Sequence, residues 1–283
     1  MVDGGAFNHG SHVAVRMGLK VGCITRLAKE DFHVVDELRQ LGADVQAHAT
    51  PQSTCLRLEY PSLNLDERVI YVTGTADPFV PADVRDVDAE AFVIGTSMRG
   101  EVGLDVIEEL ATKDALIAAD VQGFVRVARD GKLAYEAWPE EAATLDLIDV
   151  LKTDAVEAEM LTGTGDVHQA AQILASLGPN EIVLTRSEGV LVYADGQYHE
   201  APFYPKQVVG RSGRGDTCVA AYVARRLTAS VADATVWSAA VTSLKMEAEG
   251  AFHREIREVE ALAREFLLGP HRAGELGCGV DGV

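Results

Sequence analysis

Apolar positions follow two alternating patterns along this chain. Residues 21–25, 91–95, 115–120, 147–151, 182–185 and 190–193 form short apolar runs of strand length. The run Ala115-Leu116-Ile117-Ala118-Ala119-Asp120 has little polar alternation, as expected of a strand covered on both faces of a parallel sheet. Between these runs lie segments with helical spacing. They are 30–41, with Val34, Val35, Leu38 and Leu41 on one face, then 102–112, 155–161 and 167–177, the last with Asp166 as N-cap. From Gly215 onward the pattern is helical, near 215–227, 231–247 and 255–267. Strands alternating with helices predict an α/β fold with a mainly parallel sheet covered on both faces.

Residues 53–73 break the alternation with two β-like runs around a polar turn at 64–67. Two strands without a crossover helix predict a hairpin standing off the main sheet. Such a hairpin is either a flap over a site or a decoration of the surface. The chain therefore divides into an α/β core (1–50 and 80–268), a hairpin lid (51–79) and a Gly-rich tail at 269–283 that is expected to be frayed.

Composition narrows the function. The 283 residues include 25 Lys and Arg against 44 Asp and Glu, a formal net charge of −19. So acidic a surface repels nucleic acid, yet one site of backbone amides is enough to bind a small phosphate compound. No run approaches the ~20 apolar residues of a membrane span, and no signal peptide is visible at the start. Cys23, Cys55, Cys218 and Cys278 form no metal-ligand spacing and read as free thiols of a cytoplasmic protein.

The segment with most chemistry is Gly210-Arg211-Ser212-Gly213-Arg214-Gly215-Asp216-Thr217, which runs directly into the apolar helix beginning near Val219. A Gly-rich turn entering a helix exposes unpaired amides and the positive end of the dipole. The Gly210 to Gly215 spacing imitates a P-loop, but Asp216 stands where a P-loop has lysine. A carboxylate there suits the acceptance of a proton from an attacking hydroxyl, with the amides stabilising charge on a transferred phosphoryl group. The same residues also suit an ordinary turn with an Asp near a helix start. The Arg214-Gly215-Asp216 tripeptide is read as coincidence rather than as an adhesion motif.

Four ordered motifs resemble the ribokinase-like, or PfkB, family of small-molecule kinases, over nearly the whole chain from Gly4 to about Leu267. Residues 210–216 resemble its signature DTxGAGD. Gly4-Gly5, followed by Met17-Gly18, resembles its N-terminal GG and LG. The stretch Lys152-Thr153-Asp154-Ala155-Val156-Glu157-Ala158-Glu159-Met160-Leu161-Thr162-Gly163 resembles its NxxE segment. Thr185 and Gly189 sit where TxGxxG is frequent. Residues 120–126 look most like the inositol-kinase members.

The resemblance implies a ribokinase-like three-layer sandwich with a small β lid that includes residues 53–73. It implies ATP-dependent phosphorylation of a hydroxyl on a sugar or cyclitol, or on a nucleoside in a related member. A non-catalytic ligand-binding relative is the alternative of another class. Asp216 would be the base, and the amides of Gly213, Arg214 and Gly215 the anion hole. Thr185 and Gly189 would border ATP. Glu157 would help hold hydrated Mg²⁺ beside the nucleotide, with Asp154 also in the cofactor site, and Gly4, Gly5, Asn8 and Asp120 would approach the acceptor. Many members use a monovalent cation near the hole. Lid edges often pair between subunits, which adds a homodimer to the expectation.

Four departures matter. Gly210 replaces the signature Asp, and Arg214 replaces its Ala. Arg211 or Arg214 is expected to contact a phosphate, Arg211 being the stronger candidate. Asp154 replaces the Asn of NxxE. Family members also carry a strand before GG, so the expectation is a chain whose start lies upstream, with exposed sheet edges and weakened activity. His9, His12, Trp138, Trp237 and the acidic run 136–141 read as core or surface residues, and Lys245 as a helix-end lysine.

Overall fold

The computed structural model describes residues 3–59, 69–210 and 212–268. The helices are α1 (Ala6–Arg16), α2 (His33–Leu41), α3 (Leu104–Ala111), α4 (Gln122–Val125), α5 (Glu141–Leu145), α6 (Ala155–Thr162), α7 (Val167–Ala175), α8 (Arg214–Arg226), α9 (Val231–Met246) and α10 (Ile256–Leu268). The strands are β1 (Gly22–Leu27), β2 (Asp44–Ala49), β3 (Cys55–Glu59), β4 (Val69–Gly74), β5 (Ala91–Ile94), β6 (Leu116–Asp120), β7 (Arg126–Arg129), β8 (Lys132–Tyr135), β9 (Val150–Asp154), β10 (Glu181–Thr185), β11 (Gly189–Ala194) and β12 (Gln197–Pro202).

The main sheet has the order β12-β11-β10-β9-β6-β5. β5, β6, β9 and β10 run parallel, and β11 and β12 add antiparallel strands at one side. Successive side chains of a strand feed opposite cores. Ile117, Ala119, Leu151, Ile182 and Leu184 pack with Val106, Ile107 and Leu110 of α3, Ala158 of α6, and Ala170 and Leu174 of α7. Ala118, Val150 and Val183 face the other way, onto Cys218, Val219 and Tyr222 of α8 and Ala234 of α9. This two-sided burial is why the strands read as unbroken apolar runs. Val13 of α1 and Val259 and Ala263 of α10 extend the second helical layer over α8 and α9. The α/β expectation holds, and Asp166 caps α7 by accepting from the amides of His168 and Gln169.

β1 and β2 form a separate parallel pair, packed with α2 through Cys23, Val35, Leu38 and Val45. Among the described residues no strand joins β1 to β5, and Val93 of β5 is 43% exposed.

The lid sheet has four strands in the order β3-β4-β8-β7, where the sequence pattern gave only the first hairpin. The second hairpin turns at Asp130 and Gly131, both with positive φ (51° and 75°), and Asp195-Gly196 repeats the device between β11 and β12. An Asp-Gly pair between short strands is a hairpin signal in its own right. The strands themselves carry no apolar period, because β7 and β8 are four residues each and half polar. The turn at 64–67 and the tail at 269–283 lie outside the described residues.

Two polar residues fasten the lid to the core. The Glu101 carboxylate accepts from the amides of Ser97 (2.6 Å) and Met98 (3.1 Å), and from the hydroxyl of Thr54. Thr54 Oγ1 in turn accepts from the amide of Ala76 at 3.0 Å. One buried carboxylate thus ties the loop after β5 to the base of the first hairpin.

Candidate active site

The C-terminal ends of β6, β9 and β10 and the N-terminus of α8 define the site, where open α/β sheets bind ligands. Gly213 is the N-cap of α8, with φ +74° and ψ 12°. This left-handed backbone favours glycine, and space demands it as well: a Cβ there would lie 2.2 Å from His9 Nε2. The first intrahelical bond runs from the amide of Thr217 to the carbonyl of Gly213. The preceding amides of the first turn have no acceptor within the helix, the feature that suits helix starts to anions. Asp216 sits in that turn. Burial raises its carboxyl above the ordinary value, while the charges of Lys152, Arg126 and Lys245 oppose the rise.

Three cations that the sequence reading assigned no role converge here. Lys245 stands in the last turn of α9, as expected, but is buried. It is 2% exposed, and its Nζ donates to the carbonyl of Gly210 at 3.1 Å and to that of Ser212. α9 thereby holds the loop leading into α8. Lys152, in β9, is 3% exposed and places Nζ 2.9 Å from Asp120 Oδ2 at the end of β6. Arg126 opens β7 and donates from Nη2 to Glu157 Oε1 at 2.9 Å. Its guanidinium lies 5.8 Å from the Tyr135 ring of β8.

Asp154 and Glu157 form a capping box on α6. The amide of Glu157 donates to Asp154 Oδ1 (2.9 Å), and the amide of Asp154 donates to Glu157 Oε2 (3.1 Å). Glu157 is fully buried, and its pKa is pushed up to about 7, chiefly by burial, against the pull of Lys152 and Arg126. Both oxygens are engaged, and the described residues contain no cluster of three metal-binding side chains. The donor set does not fit a magnesium ion held directly by this chain. A hydrated ion would reach Glu157 only if Arg126 gave way.

The remaining candidates surround this centre. Thr185 ends β10 in register with Asp154, and Gly189 starts β11 after the turn closed by the Arg186 amide on the Gly189 carbonyl (2.9 Å). Gly5 is the N-cap of α1, Gly4 precedes it, and buried Asn8 donates from Nδ2 to the Asp3 carbonyl at 3.2 Å. Asp120 is 2% exposed and faces Lys152. Arg214 is the first residue of α8. Arg211 lies outside the described residues. His9, expected to be a core or surface residue, packs against the hole at Gly213.

Buried polar atoms without a hydrogen-bond partner include His9 Nδ1, Arg126 Nε and Thr217 Oγ1 here, and others elsewhere in the fold, such as His48 Nε2 and Trp237 Nε1. Such atoms are rare in folded proteins and are expected where a ligand completes the set. A buried carboxylate, a helix N-terminus and nearby cations together suit the transfer of an anionic group to a hydroxyl.

Comparison with known proteins agrees with this chemistry. The family described as pfkB family carbohydrate kinase matches residues 4–255. A sulfate complex of a pyrophosphate-dependent kinase in the ribokinase family superposes with a TM-score of 0.84 at 36% identity, covering 91% of each chain. A pyrophosphate-dependent kinase of that family complexed with a pyrophosphate analog and myo-inositol gives 0.83 at 35% identity, again over 91% of each. Arabidopsis thaliana ribokinase complexed with ribose and ATP shares the fold, with a TM-score of 0.73 at 19% identity over 93% of this chain and 88% of that one. A cytidine kinase of Thermococcus kodakarensis is 38% identical over 81 residues, which span 27% of this chain and 29% of that enzyme. No helix among the described residues is long and apolar enough to cross a membrane.

Proposed function

Because the chain belongs to the pfkB family of carbohydrate kinases, and is thereby a phosphotransferase, we propose that it phosphorylates a hydroxyl of a cyclitol such as myo-inositol, with inorganic pyrophosphate as donor. Asp216 takes the proton of the acceptor hydroxyl. The oxygen attacks phosphorus in line, and the amides of Gly213, Arg214 and Gly215 stabilise the charge on the transferred group. The P–O bond to the leaving phosphate breaks with its electron pair on that phosphate. Gly4, Gly5, Asn8 and Asp120 belong to the acceptor side, and Thr185, Gly189, Asp154 and Glu157 to the donor side. Any magnesium would come with the donor's phosphates rather than be held by Asp154 and Glu157.

The observation that carries the choice of donor is Arg214, a guanidinium at the first position of α8 where the family signature usually has alanine. Pyrophosphate has no nucleoside to grip, so its binding must come from cations and amides, and guanidinium is well suited to phosphate. Arg211, its neighbour in the motif, joins the same proposal. Two neighbours at 35% and 36% identity use pyrophosphate, and one of them was captured with myo-inositol. ATP, the donor suggested by the sequence, is the second reading, with a nucleoside acceptor favoured by the match to cytidine kinase. A cytoplasmic location, a homodimer through the lid edges β3 and β7, and a monovalent cation near the hole complete the proposal.

The test is a matrix of pyrophosphate and ATP against myo-inositol, ribose, fructose and cytidine, read by phosphorus NMR of the product. A phosphomonoester from pyrophosphate and myo-inositol is the expected result. Turnover with ATP and cytidine alone would replace this reading with the second.

A further inference from the structure

A lysine inside a sheet is costly. Lys152 follows Val150 and Leu151 in β9, is 3% exposed, and has Asp120, itself 2% exposed, at 2.9 Å. Buried ion pairs are often no more stable than apolar pairs of the same shape, so stability alone gives this chain little reason to keep one here. Its position supplies a different reason. A Cβ on Gly215 would lie 2.7 Å from Lys152 Nζ. The ammonium is therefore pressed against the inner side of the anion-hole backbone, and Gly215 is the residue that allows it.

We propose that Lys152 is a positioning residue that charges the anion hole from behind its backbone, with Asp120 as the counter-ion that tempers it. The proposal rests on the reading of this site as a phosphoryl-transfer centre. As the acceptor proton passes to Asp216 and the phosphoryl group leaves its donor, negative charge concentrates at the hole. Lys152 gives up no proton and forms no bond. Its fixed charge, set among protein atoms rather than water, lowers the energy of that arrangement before substrate arrives. The charged groups that act on one another around it are Asp120 from β6, Arg126 from β7, Asp154 from β9 itself, Glu157 from α6, Asp216 from α8 and Lys245 from α9. Four carboxylates meet three cations, so removing Lys152 leaves the hole distinctly more negative.

The two partners of the pair should then have opposite effects, which a mere brace would not produce. The experiment is calorimetric titration of inorganic pyrophosphate into the intact wild-type chain, Lys152→Gln and Asp120→Asn, with kcat/KM against pH for each. Lys152→Gln should weaken pyrophosphate binding at least about tenfold and lower kcat by about 10²-fold, the usual scale for losing one anion-stabilising group. It should also move the acid limb of the profile to higher pH, because Asp216 loses a neighbouring cation. Asp120→Asn should bind pyrophosphate as tightly as wild type or more tightly. Equal weakening by both variants with an unmoved acid limb would overturn the proposal, as would wild-type binding by Lys152→Gln. If Lys152→Gln does not fold, Asp120→Asn decides alone, weakened binding counting against. If wild type turns over no donor and acceptor, the phosphoryl-transfer reading fails, and the binding titrations still decide the role of Lys152.

Discussion

The imidazole of His9 fills the space that any side chain on Gly213 would need, with Nε2 2.2 Å from the position of a Cβ. Helix α1, which follows the Gly4-Gly5 pair, thereby constrains the backbone at the start of α8. Gly213→Ala should be penalised twice. The left-handed backbone costs about 1–2 kcal/mol for a residue with a Cβ, and the overlap adds to that. The His9→Ala/Gly213→Ala double variant should recover the overlap but not the backbone cost. Urea unfolding of the single and double variants measures both parts, and an unchanged midpoint for Gly213→Ala would contradict the relationship.

His9 also predicts a pH dependence of stability. Burial, with Lys245 nearby, lowers its pKa to about 4 from an ordinary 6.5. The unfolded chain therefore takes up a proton on this residue at a higher pH than the folded chain does. The stability contributed by neutral His9 is complete above about pH 6.5 and is lost as pH falls toward 4. His9→Gln should flatten the fall of the melting temperature in that window relative to wild type. A curve parallel to wild type would contradict this.

The joint between lid and core makes a third prediction. Thr54 links the first hairpin to Glu101, and Glu101 holds the amides of Ser97 and Met98. Thr54→Val removes the hydroxyl at nearly constant volume and leaves a buried carboxylate oxygen short of a donor, at a cost of about 1–3 kcal/mol. If the hairpin is a flap over the acceptor, the acceptor KM should rise more than the donor KM. Thr54→Ser should restore both. Equal changes in the two KM values, or no rescue by serine, would show that the joint has no part in acceptor binding.

Much of this architecture is legible in the amino-acid sequence, for identifiable reasons. Ile117, Ala118 and Ala119 read as strand because neither sheet face meets water. The Gly213–Asp216 turn is legible because an anion site needs glycines in a short span. β7, β8 and β12 escaped because short, half-polar strands lack a period, although Asp130-Gly131 and Asp195-Gly196 marked their turns. The charges behind the hole escaped for a different reason. Lys245 is 33 and 35 residues from its acceptors, and Arg126 is 31 from Glu157. Such partners meet only once the sheet order brings the ends of β6 and β9 beside α8, and no local pattern announces that. Glu157 is expected from the sequence to be a site residue, and its engagement by Arg126 cannot be read there for the same reason.

The central claim is that Asp216 removes a proton from an acceptor hydroxyl while the start of α8 holds the transferred phosphoryl group. The most direct measurement is kcat/KM for phosphorylation of myo-inositol by pyrophosphate across pH, in wild type and Asp216→Asn. Wild-type activity should fall on the acid side at a pH above the ordinary carboxylate range, since burial raises the Asp216 pKa and only the ionised form accepts a proton. Asp216→Asn should lose about 10²–10⁴-fold in kcat and the acid limb with it. Retention of wild-type kcat by Asp216→Asn, or an acid limb unchanged by the substitution, would contradict the account.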